Sequence, residues 1–529
     1  MTSYEKIAMT ATSLGFTRVA EMLGIALVQP LFSRSQLGPA NRIERHPSAE
    51  IRSWTAQYMP DDSFRGHFEF GLKYERLNFE FFSRVFERID PQEIVAWVND
   101  SPTGAYARRT AFFYEWFTDK TLDAPDTAPN VGYVDALDPD LYLTATEPTN
   151  NRRWKVRQNL PGLRSYCPLV YLGPAKARDW IYDVKAGVER LNKTYGTDLL
   201  LRSSVWLTLK ESRASFAIER EQDQSDRVKR FAAAIGELSG RMEAPLEAQG
   251  LQTLQNAILG TAVLRLGIRQ SPVFVGQSSV QGQVVHYIAP AAQVVQEMLQ
   301  GLRDFESRTQ GQNTVARTAA VSFAFVYLHP LSDGNGRVHR FLLNHMLAAD
   351  GVVAPNIIIP VSATIAGSPA GRAEYDRVLE SFSRPLMRRY EGEYNFATSH
   401  IYPDGVHSDF NFTADQDAQH AWRYPDLTVH ARYVSELLRT TVEHEMALEA
   451  ATLRDNDASR DAIKQIVEMP DPDADRIIAS LRSNGWVVSG KLRRDQPAIF
   501  APEGRLHHLQ DRIVDAVREA LTRHDQPKK

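Results

Sequence analysis

The stretch HPLSDGNGRVHR, residues 329–340, sets a histidine, an aspartate, two glycines around an asparagine and two arginines directly behind an apolar run. His329 is the group able to take up a proton near neutral pH. Gly334 and Gly336 disfavour a helix and leave backbone N–H groups uncovered. The next segment, RVHRFLLNHMLAAD, has helical rhythm, so SDGNG is a loop feeding a helix N-terminus, where unpaired amides and the positive dipole end attract an anion. Arg337 and Arg340 stand three apart on one face of that first turn, within reach of phosphate oxygens. Asp333 would repel an anion, and its sign makes sense as a ligand of Mg²⁺, a hard cation shared between carboxylate and phosphate oxygens. These residue types describe a site for a Mg²⁺-bound polyphosphate with a general base beside it.

The elements that position such a site are legible around it. TVARTAAVSFAFVYL carries Val321, Phe325 and Leu328 at helical spacing, predicting a buried helix that runs into His329 and stops before Pro330. Upstream, PVFVGQSSVQGQVVHYIAP alternates like a hairpin. Val273 and Val275 lie on one face of a first strand, a Gly-Gln-Ser loop starts at Gly276, and Val285 and Tyr287 return the chain. One hairpin among helices is marginal alone, so it must pack on the helices or be paired by something that binds.

The stretch resembles the signature of the Fic family, His-Pro-Phe-x-Asp/Glu-Gly-Asn-Gly-Arg-x-x-Arg. His329, Pro330, Asp333, Gly334, Asn335, Gly336, Arg337 and Arg340 fall at matching positions, and Leu331 replaces the usual Phe. PVFVG through YIAP resembles the family's flap, and AQVVQEMLQGLRDFESR the helix that comes after it, so the likeness covers about residues 200–385. The resemblance implies transfer of AMP from ATP to a Tyr, Thr or Ser hydroxyl of a target protein. In that reading His329 is the base and Asp333 the Mg²⁺ ligand. Asn335 steadies the α-phosphate, the amides of Gly334 to Gly336 cradle the phosphates, and Arg337 and Arg340 neutralise them. The flap residues Val273, Phe274, Val275 and Gly276 pair with an extended target segment. Gly336 separates this chain from a family branch that phosphorylates and carries Lys there. The resemblance also implies dimers.

Many Fic proteins are similar in a second motif, Ser/Thr-x-x-x-Glu-Gly/Asn, whose glutamate pairs with the second arginine and blocks productive ATP binding. ESRASFAIERE contains Ser215 and Glu219 at that spacing, on one helical face, with Arg220 next where the family has Gly or Asn. An auto-inhibitory contact between Glu219 and Arg340 is therefore expected. The same site run in reverse would remove AMP from a target, with Glu219 positioning a water.

For the chain as a whole, 529 residues exceed one ordinary core. With 43% hydrophobic and 24% charged residues and a net charge of −4, the composition is that of a globular protein and argues against wholesale nucleic-acid coating. The single cysteine, Cys167, excludes an intramolecular disulfide and a Cys-rich zinc site, and fits a cytoplasmic protein. MLGIALVQPLF is too short to span a bilayer, so neither a membrane helix nor a signal peptide is expected. The fold class expected is mainly α. Residues 1–195 form a helical N-terminal region, including one amphipathic helix in LKYERLNFEFFSRVFERI, and the basic NRRWKVRQ is read as a solvated face. Residues 196–385 are the Fic-like core, with the inhibitory helix at 212–222, the flap at 272–289 and the loop at 329–340. A polar stretch and a long helix or helical pair make a helical connector over 386–452. Residues 453–529 read as a winged helix-turn-helix, with strands in WVVSG and AIFAPEG and Lys491, Arg493 and Arg494 at the wing tip. That module raises a second reading, a regulator that contacts DNA through residues 453–529 and uses the core as a nucleotide sensor.

Overall fold

The computed structural model describes residues 12–219, 225–260, 265–279 and 282–522; they are mainly helical, with small sheets of two to four strands. The chain divides into two compact units, one of Met1–Tyr182, Ser212–Pro355 and Val361–Leu438, the other of Asp183–Glu211, Asn356–Pro360 and Arg439–Lys529.

In the first unit the N-terminal aromatics make a core of their own. Phe16, Phe68, Phe81, Phe82, Phe86 and Phe113 interlock, with Phe16 and Phe81 ring centres 5.1 Å apart. The amphipathic stretch 72–89 is two helices rather than one. Phe64–Tyr74 stops where the buried Glu75 carboxylate takes the Phe16 amide at 2.8 Å, and the Asn78 side chain caps Phe79–Arg88 by accepting the Phe81 amide. The region also carries a four-stranded sheet beyond the helices expected of it. Ser33–Leu37 runs parallel to Ala49–Trp54, with Ser13–Leu14 and Arg42–His46 on the outer edges. These strands, SRSQL and RIERH among them, hold few β-branched or aromatic residues, so propensity does not betray them. NRRWKVRQ is a structural cluster. Arg157 forks onto Asp135, Arg153 donates to the Leu122 and Ala124 carbonyls, and Trp154 is fully buried. Cys167 is core filler whose thiol burial pushes up to about 12.

The helix Thr314–Leu328 is buried nearly all round, as its composition demands. The Asn313 side chain caps it by accepting the Ala316 amide at 2.9 Å. The helix Asn335–Ala349 packs against it. The flap is an antiparallel hairpin of Phe274–Ser279 and Gly282–Ile288. Gly276, Gln277 and Ser278, read as its loop, belong to the first strand. A second hairpin, Tyr394–Ile401 with His407–Phe412, stands where a helical connector was expected. Its aromatics alternate, but polar residues between them hide the pattern.

The second unit closes over Ile463, Ile477, Leu481, Leu492, Phe500, Ile513 and Val517. The helices of the expected helix-turn-helix are present in Ala447–Lys464 and Asp471–Ser483. The wing is not: residues 484–506 contain no strand and instead form Gly490–Asp495 and Pro497–Phe500. Ser489 caps the first by accepting the Leu492 amide, and Leu492 and Phe500 are spent on the core. Lys491, Arg493 and Arg494 thus lie on a short helix rather than at a wing tip. Among the described residues no helix is long and apolar enough to cross a membrane.

His339, His345 and His430 of the first unit are buried, and loss of hydration holds them neutral, His339 and His345 at about 4 and His430 at about 3. Unfolded, each would bind a proton near pH 6.5, so acid favours the unfolded chain. Stability to urea should therefore decline as pH falls below about 6.5, with a loss on the order of 2 kcal/mol per histidine near pH 5. A urea midpoint unchanged between neutral and mildly acid pH contradicts this.

Candidate active site

The buried helix Thr314–Leu328 cannot pass through Pro330, and the turn falls on His329, whose backbone is left-handed at φ 47° and ψ 55°. The His329 amide still closes the helix on the Phe325 carbonyl at 3.0 Å. A non-glycine residue held in this conformation stores strain, of a kind that gathers at functional sites. Nδ1–H donates to the Val326 carbonyl at 3.3 Å, which leaves the lone pair on Nε2 to accept a proton. Burial first, then the Arg269 guanidinium, hold the imidazole down at about 4, against the weaker pull of Glu219 and Asp333. At neutral pH His329 is an unprotonated base.

Beyond Pro330 the loop closes on itself. The Asn335 carboxamide accepts the Leu331 amide at 3.0 Å and donates to the Leu331 carbonyl at 2.7 Å, so both its ends hold the loop. The side chain expected to steady an α-phosphate thus braces the loop backbone in this structure. Leu331 is fully buried, and the position is filled without the larger ring. Gly334, at φ 89°, starts the helix Asn335–Ala349 in a conformation that only glycine adopts without strain. Asp333 points outward, 62% exposed, and meets Arg337 at 3.2 Å.

Arg337 and Arg340 do share a face, and one turn from another helix covers both. That turn lies at the end of Thr197–Ile218, and it is the segment singled out as inhibitory. Arg340, 1% exposed, donates to the Ser215 hydroxyl at 2.7 Å and to the Glu219 carboxylate at 2.6 Å. The Arg337 guanidinium lies 5.1 Å from the centre of the Phe216 ring. Burial opposes the charge on Glu219, but Arg340, with help from Arg337 and His329, outweighs it and keeps the carboxyl below its ordinary range. The contact depends on Gly336: a Cβ there would stand 2.0 Å from the Glu219 Oε1. Ser215, Glu219, Gly336 and Arg340 are thus one interlocked group.

The flap reaches the helix that ends at His329. Tyr287 donates to the Tyr327 carbonyl at 2.7 Å, and Val273, just ahead of the first strand, accepts the Ala289 amide. Val275 is 41% exposed, while Phe274 is turned toward the second hairpin, 4.8 Å from the Phe410 ring. At Gly276 a Cβ would meet the Val284 carbonyl oxygen at 2.3 Å, so the hairpin closes there only with glycine. Two residues that brace this backbone escape sequence reading. Buried Gln255 donates to the Asp333 carbonyl at 3.0 Å and accepts the Gly267 amide at 2.7 Å. Arg269 caps the carbonyl of His329; a lone charge inside LGIRQSPVF was its only signal.

A metal fits this donor set in one way only. Among the described residues no three His, Cys, Asp or Glu side chains gather as a metal cage. One exposed carboxylate, Asp333, next to Arg337, is of the kind that holds Mg²⁺, which is commonly bound by a single carboxylate together with substrate phosphates.

Residues 245–347 match the Fic/DOC family. Over 179 residues the chain is 27% identical to protein adenylyltransferase fic-1 of Caenorhabditis briggsae, a match covering 33% of this chain and 30% of that protein. The chain thus spans under a third of the length of that relative. A Fic family protein from Desulfovibrio desulfuricans aligns with 61% of this chain and 92% of its own at 18% identity and a TM-score of 0.36. A Fic domain containing signaling protein from Bacteroides thetaiotaomicron aligns with 51% and 97% at 15% identity and a TM-score of 0.34.

The geometry of the site has two measurable consequences. The His329 ring, tracked by NMR, should titrate near 4 in the free protein; a midpoint at the ordinary value contradicts its burial beside Arg269. Gly336→Ala should destabilise the fold by about 1–3 kcal/mol, the cost of disrupting a buried hydrogen-bonded charge. In a Glu219→Ala background the same change should be neutral or stabilising, since alanine is the better helix former. Equal effects in both backgrounds contradict the interlock.

Proposed function

The chain carries a Fic domain over residues 245–347, and on that premise we propose that it is a protein adenylyltransferase, moving AMP from ATP to a hydroxyl of a target protein and restrained by Glu219. The observation that carries the reading is the union, within one site, of a half-buried His329 held unprotonated and two buried arginines at a helix N-terminus.

His329 Nε2 takes the proton of a target hydroxyl. The oxygen attacks the α-phosphorus of ATP in line, forming the new P–O bond as the bond to pyrophosphate breaks. Because the base is already neutral, no proton must first be removed from it. The backbone amides from Gly334 onward and the end of the helix dipole receive the phosphates. Arg337 and Arg340 balance the charge carried away by pyrophosphate. Asp333 would hold Mg²⁺, which when bound supplies positive charge to the phosphate oxygens.

The restraint acts on the same groups. Arg340 cannot serve a terminal phosphate while it is bonded to Ser215 and Glu219, and Glu219 sets a negative charge where that phosphate is due. The Glu219 carboxylate at 35% exposure is the accessible half of the pair, and so the half that an activating event would displace. An exposed flap residue, Val275, offers an edge for an extended target segment, which backbone pairing would align.

Glu219→Gly should raise incorporation of label from [α-³²P]ATP by about tenfold or more, the usual span of a coupling of 1–3 kcal/mol. Adding His329→Ala should reduce it by a factor on the order of 10²–10⁴. Label that binds but is never transferred, in Glu219→Gly as in the parent, would favour a nucleotide sensor and overturn the transferase reading.

A further inference from the structure

The second hairpin, Tyr394–Ile401 and His407–Phe412, grips the chain that leads into the flap. Its turn does so through Asp404. One carboxylate oxygen, Oδ2, accepts the Gln270 amide and the Ser271 hydroxyl, each at 2.8 Å, while Oδ1 accepts the Val406 amide at 3.2 Å within the turn. Arg265 reaches back to the Asp404 and Gly405 carbonyls at 3.1 and 2.9 Å. Further along, Phe274 is seated between Phe396 and Phe410, with ring centres at 5.4 and 4.8 Å. These contacts fix residues 265–274 from one side.

From the other side the same residues hold the base. Ile268 bridges Leu331 in antiparallel fashion, and the Arg269 amide donates to the Pro330 carbonyl at 2.9 Å. The Arg269 side chain, 1% exposed, spends its donors on backbone carbonyls: His329 at 2.7 Å, Ser271 at 2.8 Å and Pro290 at 2.5 Å, with Leu328 at 3.4 Å. Two of those carbonyls, Leu328 and His329, belong to the left-handed turn that carries the base, and the other two flank the flap strands. A buried guanidinium bonded in this way to four carbonyls is a rivet between flap and catalytic turn.

We infer that Arg269 and Asp404 are positioning residues for the transfer step, and that the second hairpin is a latch setting the distance between the flap edge and His329. The inference rests on the transferase reading for its catalytic consequence. The bonds of Arg269 and Asp404 go to the flap and the catalytic turn, on the acceptor side of the site, so ATP binding and acceptor alignment should separate. Misplacement of a base by about 1 Å can cost ~100-fold in rate, and loosening the latch acts in that direction.

The test uses the full chain in the Glu219→Gly background, with [α-³²P]ATP and the chain itself as acceptor. Asp404→Ala lies in a surface turn and leaves the core intact. It should lower the transfer rate at saturating ATP by about tenfold or more, with the half-saturating ATP concentration unchanged. Backbone hydrogen exchange should rise at Arg269 and Gln270. Arg269→Lys, which keeps a charge and some donors, should retain more rate than Arg269→Met. If exchange rises but the rate holds, or if ATP affinity falls in step with rate, the positioning role is overturned. If exchange at Arg269 and Gln270 is unaltered, there is no latch. A Glu219→Gly parent that transfers no label counts against the transferase reading instead, and the exchange result then decides the latch by itself.

Discussion

An apolar helix that must end at Pro330 forces the chain to turn at His329, and everything in the site is arranged around that turn. A left-handed histidine is costly, so the surroundings have to hold it. They do so with backbone contacts, from the Phe325 carbonyl on one side and from Arg269 on the other. The loop beyond the turn needs the same support. Both ends of the Asn335 carboxamide hold Leu331, and Gln255 ties Asp333 to Gly267. The consequence is a histidine held in one orientation beside a helix N-terminus.

The charges of the site are also spoken for. Arg340 is buried among Ser215 and Glu219, and Arg337 lies over the Phe216 ring, so one helical turn covers two guanidinium groups and pairs one of them with a carboxylate. Gly336 is where this arrangement is tightest, because the carboxylate occupies the space of a side chain. A glycine first noticed for exposing an amide thus has a second physical use. In the proposed function the same electrostatics that stabilise the free protein oppose the bound substrate, which is how a restraint can be built from ordinary ion pairing.

Legibility in the sequence varied with the range of the interaction. The buried helix before His329, the loop, the two arginines and the flap strands were readable because their signals are local: apolar spacing, paired glycines, alternation. The Ser215 and Glu219 pair was readable only through its spacing and a resemblance, and its contact with Arg340 spans 125 and 121 residues of chain. The wing failed for a reason of packing. Val487, Val488, Ile499 and Phe500 are strand formers by composition, yet Ser489 and Pro497 start helices and the core claims Leu492 and Phe500. The hairpin at 394–412 was missed because its alternation is aromatic against polar and mostly exposed.

The sequence by itself determined the residue inventory: a histidine behind an apolar helix, one aspartate, two glycines around an asparagine, two arginines and a mainly helical frame. Those come from residue type and from spacings of one to four residues, which local geometry converts directly into shared faces and turns. Only the tertiary structure decided how each group is used. It lowered the affinity of His329 for protons by burying it next to Arg269, turned Asn335 inward to brace the loop, and set Glu219 in the gap left by Gly336. Burial, and charge partners distant in sequence, control these properties, and neither is written in any local stretch of the chain.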